Sequence, residues 1–267
     1  MTMAPFLRYA QIWLAQIRYS TVREMMFKSN FILWIIVDLC WFGLNLAFIQ
    51  FLYLQVNVIA GWTKWEMVLL VSTNMLVQQI FQTFLMINLT KLPELIRSGR
   101  LDFFLAQPAS AQFLVSTRNF EPGSVVDTFA AVIVCFVAIV HLHMKFSVAG
   151  LLLFPMLVLF GVLIHYALMM MLMSLGFWMT RAQGFVFAYY NVFQIARLPR
   201  EVFTGITRLA FTWLVPLLLV ANVPARTLLY GLDAKDLLGM ATATAVLLTL
   251  STLVFQTGLR RYGSASS

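Results

Sequence analysis

With 267 residues, 61% of them hydrophobic and 10% charged, at a mean hydropathy of +0.87, the chain has too little polar surface to cover a soluble core. Its net charge of +8 comes from Lys and Arg scattered among apolar runs. No continuous basic stripe forms, so nucleic acid is excluded as a partner and the charge is read through membrane topology.

Residues Phe6 to Lys28 place Trp13, Leu14, Ile17 and Val22 against Arg8, Arg18 and Arg23, at spacings that give a helix one apolar and one basic side. This predicts an interfacial helix over residues 1–30, lying along an anionic leaflet. The apolar run that follows is too long for a signal-peptide core, so no cleavable leader is expected.

A first span is predicted from Phe31 to about Leu54, enough to cross with some tilt, with Asp38 within it. Cys40 here and Cys135 further on sit in apolar runs and read as free buried thiols. Trp62 and Trp65 suit an interfacial belt and introduce a second span, about Met67 to Leu89. Within it Asn74, Gln78 and Gln82 recur every four residues and share a face. That face either packs on another helix through side-chain hydrogen bonds or lines a translocation route. Asp38 reads either as a proton or cation relay or as a carboxylate neutralised by a neighbouring helix.

Residues 90–121 form a polar interruption, including Ile96 to Phe113, IRSGRLDFFLAQPASAQF. A third span, about Val125 to Leu142, is joined near Lys145 to a fourth, about Val148 to Trp178, where Pro155 predicts a kink or a late start. Gly184 to Ala196 is aromatic but short, so a fifth span must borrow neighbouring residues. Pro199, Pro216 and Pro224 then punctuate residues 198–236, which read as two short helices dipping into the outer face. The last span runs from about Leu237 to Leu259 and ends in Arg260 and Arg261. The fold class expected is an all-α polytopic membrane protein, with six transmembrane helices over residues 31–267 and a short broken-helix region before the last.

Lys and Arg near span ends put both termini and residues 90–121 in the cytoplasm of a cell membrane, with Lys64 and Lys145 in outer loops. Arg197, Arg200, Arg208, Arg226 and Lys235 then fall at the outer interface, against the trend.

No Gly-Lys pair is present to open a phosphate-binding loop, so ATP chemistry is not expected in this chain. His141 and His143 lack a third ligand nearby, and no metal site is predicted. Ser174 and His165 lie about two and a half helical turns apart, on opposite faces, which removes them as a hydrolase pair.

The polar interruption carries Gly99, Leu101, Asp102, Leu105 and Pro108 in a Gly-x-Leu-Asp-x-x-Leu-x-x-Pro pattern, and a Leu198-Pro199 break follows further on. With six spans and an interfacial helix, the chain resembles the permease subunits of type-two ABC exporters. In that family Tyr-Pro tends to stand where this chain has Leu198-Pro199. The resemblance implies a second permease chain, either another copy or a related one, and separate ATPase subunits that bind ATP and Mg. It also implies that residues 90–121 receive their motion. The residues fit such a role: Gly99 permits a turn between two short helices, Pro108 closes the second, and Glu94, Arg97, Arg100 and Asp102 supply orienting charge. The function expected is an ABC exporter permease moving an amphipathic or hydrophobic solute outward in contact with membrane lipids. The competing readings are a proton-linked carrier built on Asp38 and a non-transporting scaffold.

Overall fold

A computed structural model describes residues 5–26, 28–142, 148–179 and 184–263, and among these every regular element is helical. α1 (Pro5–Met25) precedes α2 (Lys28–Leu52) and α3 (Lys64–Phe81). A π turn, Gln82–Met86, carries α3 into α4 (Ile87–Leu89) and α5 (Leu92–Arg97), followed by α6 (Asp102–Leu105) and α7 (Ala111–Thr117). Next come α8 (Gly123–His141), α9 (Val148–Ser174), α10 (Gly184–Phe193) and α11 (Gly205–Leu209), then α12 (Leu217–Tyr230) and α13 (Ala234–Arg261).

Five helical runs are long and apolar enough to cross a bilayer: Phe31–Leu52, Lys64–Arg97, Gly123–His141, Gly150–Phe177 and Ala234–Arg261. The all-α polytopic fold is therefore as expected. α9 runs unbroken through Pro155 from Val148, so the proline marks no late start. Lys145 and Arg181 lie outside the described residues.

α3 is the central helix, packed on α8, α9 and α12, whereas α2 is the most exposed crossing. That centrality lets α3 keep Ser72, Thr73, Asn74 and Gln79 buried, and the π turn Thr83, because polar side chains in a bilayer are held inside the bundle. Gly161 permits the tight part of this packing. A Cβ there would stand 3.1 Å from the Val77 side chain and 3.2 Å from the Val220 carbonyl oxygen.

Two ends of the bundle can be told apart by their contacts. At the loop end, Gly176 meets Pro93, Gly123 meets Phe31, and Gly258 faces the Phe177 ring. At the far end, Ala60 (φ +51°) and Gly61 (φ +84°) turn the chain between α2 and α3, and Trp62 is buried. Thr63 and Glu66 form a capping box that starts α3, with the Thr63 N–H donating to Glu66 Oε2 at 2.7 Å. His141 stacks on Trp65 at the same end, 4.0 Å between ring centroids.

The far end also decides the route of residues 184–236. The Arg200 guanidinium donates to both Asp236 oxygens at 2.8 and 2.9 Å, and Trp62 Nε1 donates to Glu201 at 2.9 Å. The chain has thus returned to the far end by residue 200. α10 and the 3₁₀ turn Gln194–Arg197 make that passage, in roughly 15 Å of α-helix and 8 Å of 3₁₀ turn. The fifth span was expected here, but this passage is shorter than the ~30 Å hydrocarbon core and is not among the five long runs.

Gly205–Leu214 and α12 then meet at 86°. Since Arg200 before them and Asp236 after them are bonded to each other, the pair dips in and returns instead of crossing. α12 is buried at nearly every position from Leu217 to Ala225, walled by α3, α9 and α13. Asn222 ties it back to the preceding break, accepting from the Arg200 N–H at 2.9 Å and donating to the Leu198 carbonyl at 3.0 Å.

Glu201 is the hub of the far end, since Arg226 also donates to it at 2.8 Å. Replacing Glu201 with Ala leaves Trp62 Nε1 and Arg226 without this acceptor, a loss of about 1–2 kcal/mol for a partly exposed site. The expected outcome is a lower Tm in detergent and faster hydrogen exchange over residues 200–231. Unchanged exchange there would show that the network does not hold the dipping helices.

Candidate functional site

Helical spacing puts Phe31, Trp34, Asp38, Trp41 and Asn45 along one side of α2, and this side faces the Asn74, Gln78 and Gln82 side of α3. Between them lies a cavity of about 520 Å³, closed at the loop end by Glu121, Pro122 and Gly123 and walled by Tyr190, Gln194 and Arg197. Asp38, Asn74, Gln78 and Gln82, spread over two helices, are therefore brought together on one cavity. Gln82 also opens the π turn Gln82–Met86, and the Thr83 carbonyl in that turn accepts from the Glu121 N–H at 3.0 Å. Such turns often mark functional positions in helices.

The cavity wall is rich in acceptors. Asn74 and Gln79 are 7% and 4% exposed, and the side-chain carbonyl oxygen of each has no hydrogen-bond partner within the described chain. Arg197, the one cation on the wall, donates to Asn45 Oδ1.

Asp127 on α8 went unremarked in the sequence. It is 1% exposed, and among the described residues neither carboxyl oxygen has a hydrogen-bond partner. A carboxylate inside an apolar run was the available signal. The aromatic wall of the cavity could not be found that way, because Trp and Phe are common in membrane helices. A second buried pair, His165 Nδ1 and the Tyr189 hydroxyl at 2.7 Å, joins α9 to α10 beneath Phe81 and Phe193. Among the described residues no group of His, Cys, Asp and Glu could hold a metal; His143 lies outside them.

The second candidate site is the loop end itself. Gly99 has φ +71°, a left-handed turn that joins α5 to α6 and that other residues adopt only with strain. Leu101 is fully buried, its N–H donating to the Leu95 carbonyl at 3.2 Å, and Phe104 is buried beside it. This anchoring turns Phe103 and Leu105 outward, 72% and 43% exposed, next to exposed Arg97 and Pro108. Arg100 pairs with Glu94 across the turn, so two of the four expected orienting charges face each other. Burial first, and then Asp102, raise the Tyr262 phenol above its ordinary range, as expected for a residue just after α13 that lies near the loop.

The loop is fastened on two further sides. Asn88 at the end of α3's long run donates to the Asn119 carbonyl at 2.8 Å and accepts from its N–H at 2.7 Å. α1 lies along α7, with the Ser110 N–H donating to the Tyr9 hydroxyl at 3.1 Å and Arg23 donating to Asn119 at 3.2 Å. The Asn88 bonds tie the loop to the helical run that lines the cavity.

A bundle of apolar crossings around a polar cavity, with a rigid exposed loop at one end, defines a membrane transport component. The family model described as ABC-2 family transporter protein matches residues 39–266, and the chain belongs to this family. It is a type-two ABC permease, a multi-pass membrane protein whose family associates with ABC ATPase subunits. No curated protein and no solved structure matches the chain.

Replacing Gly99 with Ala places a Cβ at positive φ, at a cost of about 1–2 kcal/mol. The expected outcome is a permease that inserts normally but shows faster proteolysis between residues 92 and 108 than the parent. Equal cleavage rates would mean that the turn does not depend on glycine.

Proposed function

We propose that this permease is one of two membrane subunits of an ATP-driven exporter, moving an amphipathic or hydrophobic solute out of the cytoplasm. Both termini and the loop end face the cytoplasm in this reading. Separate ATPase subunits, which bind ATP and Mg, dock on residues 90–121, and the second permease is another copy or a related chain.

The observation that carries the reading is the exposure of Phe103 and Leu105 on a turn locked by buried Leu101 and Phe104. Apolar side chains held rigidly outward favour a protein partner, since a solvated connector gains nothing from fixing them. Arg97 at the same surface adds orientation, whereas Arg100 and Glu94 stiffen the turn through each other. A push on this surface reaches the cavity through α5, α4 and α3, which form one apolar run from Lys64 to Arg97. Family membership favours this mechanism over a proton-linked carrier built on Asp38 and over a scaffold.

Replacing Phe103 with Asp is expected to lower recovery of the co-expressed ATPase in pull-downs by about tenfold or more, as for an anchor residue at an interface. Membrane insertion and gel-filtration behaviour of the permease should stay unchanged. Full ATPase recovery with the variant would remove this surface as the docking site.

A further inference from the structure

The cavity between α2, α3, the start of α8 and α10 carries the Asp38 carboxylate on its wall. Arg197 is on the same wall, its guanidinium donating to Asn45 of α2. Behind the wall Asp127 adds a further carboxyl group, buried and without a hydrogen-bond partner among the described residues.

Independently of the charges, the Asn74 and Gln79 side chains line the cavity, are more than nine-tenths buried, and carry carbonyl oxygens with no donor. A buried acceptor without a partner is costly, and a ligand that brings N–H groups would relieve that cost. At Asp38 and the two unpartnered carbonyl oxygens an anion would meet acceptors, whereas an N–H donor would be bound. The apolar part of the wall is aromatic, with Trp34 and Trp41 on α2 and Tyr190 on α10. Ring faces attract cations and stack on planar bodies. At about 520 Å³ the space suits a small organic molecule.

We infer that this cavity binds an amphipathic organic cation bearing N–H donors, such as an aromatic amidinium or ammonium. The charged group sits between Asp38 and the Asn74 and Gln79 carbonyl oxygens, and the planar body lies against Trp34 and Trp41. This names the solute class for the exporter proposed above and rests on that reading for the direction of transport only; binding itself needs no ATPase.

The test uses the full-length chain in nanodiscs of zwitterionic lipid, without any ATPase. Three probes of one shape are titrated near neutral pH by fluorescence: 9-aminoacridine, a cation with N–H donors; acridine, which is neutral; and acridine-9-carboxylate, an anion. Saturable binding of 9-aminoacridine about tenfold or more tighter than acridine is expected, with no saturable binding of the carboxylate. Asp38→Asn should bring the cation-to-neutral ratio close to one, and Asp38→Glu should restore it. Trp34→Leu, at a position 57% exposed and so tolerant of replacement, should weaken both the cation and the neutral probe. Acridine binding as tightly as 9-aminoacridine, or a ratio unchanged in folded Asp38→Asn, overturns the assignment. Should Asp38→Asn fail to fold, the parent ratio and Trp34→Leu decide: an absent preference or undiminished binding overturns it. Failure here leaves the exporter reading intact, and loss of ATPase recovery alone would leave the cation site intact.

Discussion

A bilayer offers no partner for a free peptide group, and residues 184–230 are where this chain meets that constraint most directly. Long helices satisfy it by themselves, but a short crossing and a pair of helices meeting at 86° do not. They persist because α3, α9 and α13 wall α12 on its buried sides, and because Asn222 bonds to the backbone at the Leu198 break. The far-end network of Trp62, Glu201, Arg200, Arg226 and Asp236 closes the top of the same assembly. Of the five cations expected at the outer interface, Arg200 and Arg226 pair with the carboxylates of Asp236 and Glu201.

The same constraint organises the cavity. α10 and its 3₁₀ turn supply Tyr190, Gln194 and Arg197 to the wall of the space beside α2 and α3. Polar side chains of α3 thus line a space in place of meeting a neighbour, and Asn74 and Gln79 keep unpartnered oxygens there. The two readings of the Asn74, Gln78 and Gln82 face were helix pairing and a translocation route, and all three residues line the cavity beside α2. The loop end depends on α3 as well, through Asn88 and the π turn, so one helix connects the exposed Phe103 surface to the cavity wall.

Much of this was legible in the residues. The crossings followed from runs of apolar residues, since crossing length is set by the thickness of hydrocarbon and is a local property of the chain. Gly99 as a turn was legible because only glycine adopts positive φ without cost. The loop charges were read as orienting a partner, yet Arg100 and Glu94 pair with each other, a closure that depends on how far the turn folds back. Asp127 was visible as a carboxylate in an apolar run but was passed over, whereas its burial is a matter of helix packing.

By itself the sequence determined that this is a membrane protein of apolar helices, where its long crossings lie, and which loop carries the specific motif. These follow from composition and periodicity, which act within a window of about twenty residues. Only the tertiary structure decided which contacts hold residues 184–236, with Arg200 bonded to Asp236, and that a cavity lies between α2, α3 and α10. It also decided which motif residues are anchors, Leu101, and which are presented, Leu105. Each of these is settled by contacts between residues far apart in the chain, such as Arg200 with Asp236 or Trp62 with Glu201, which no local pattern encodes.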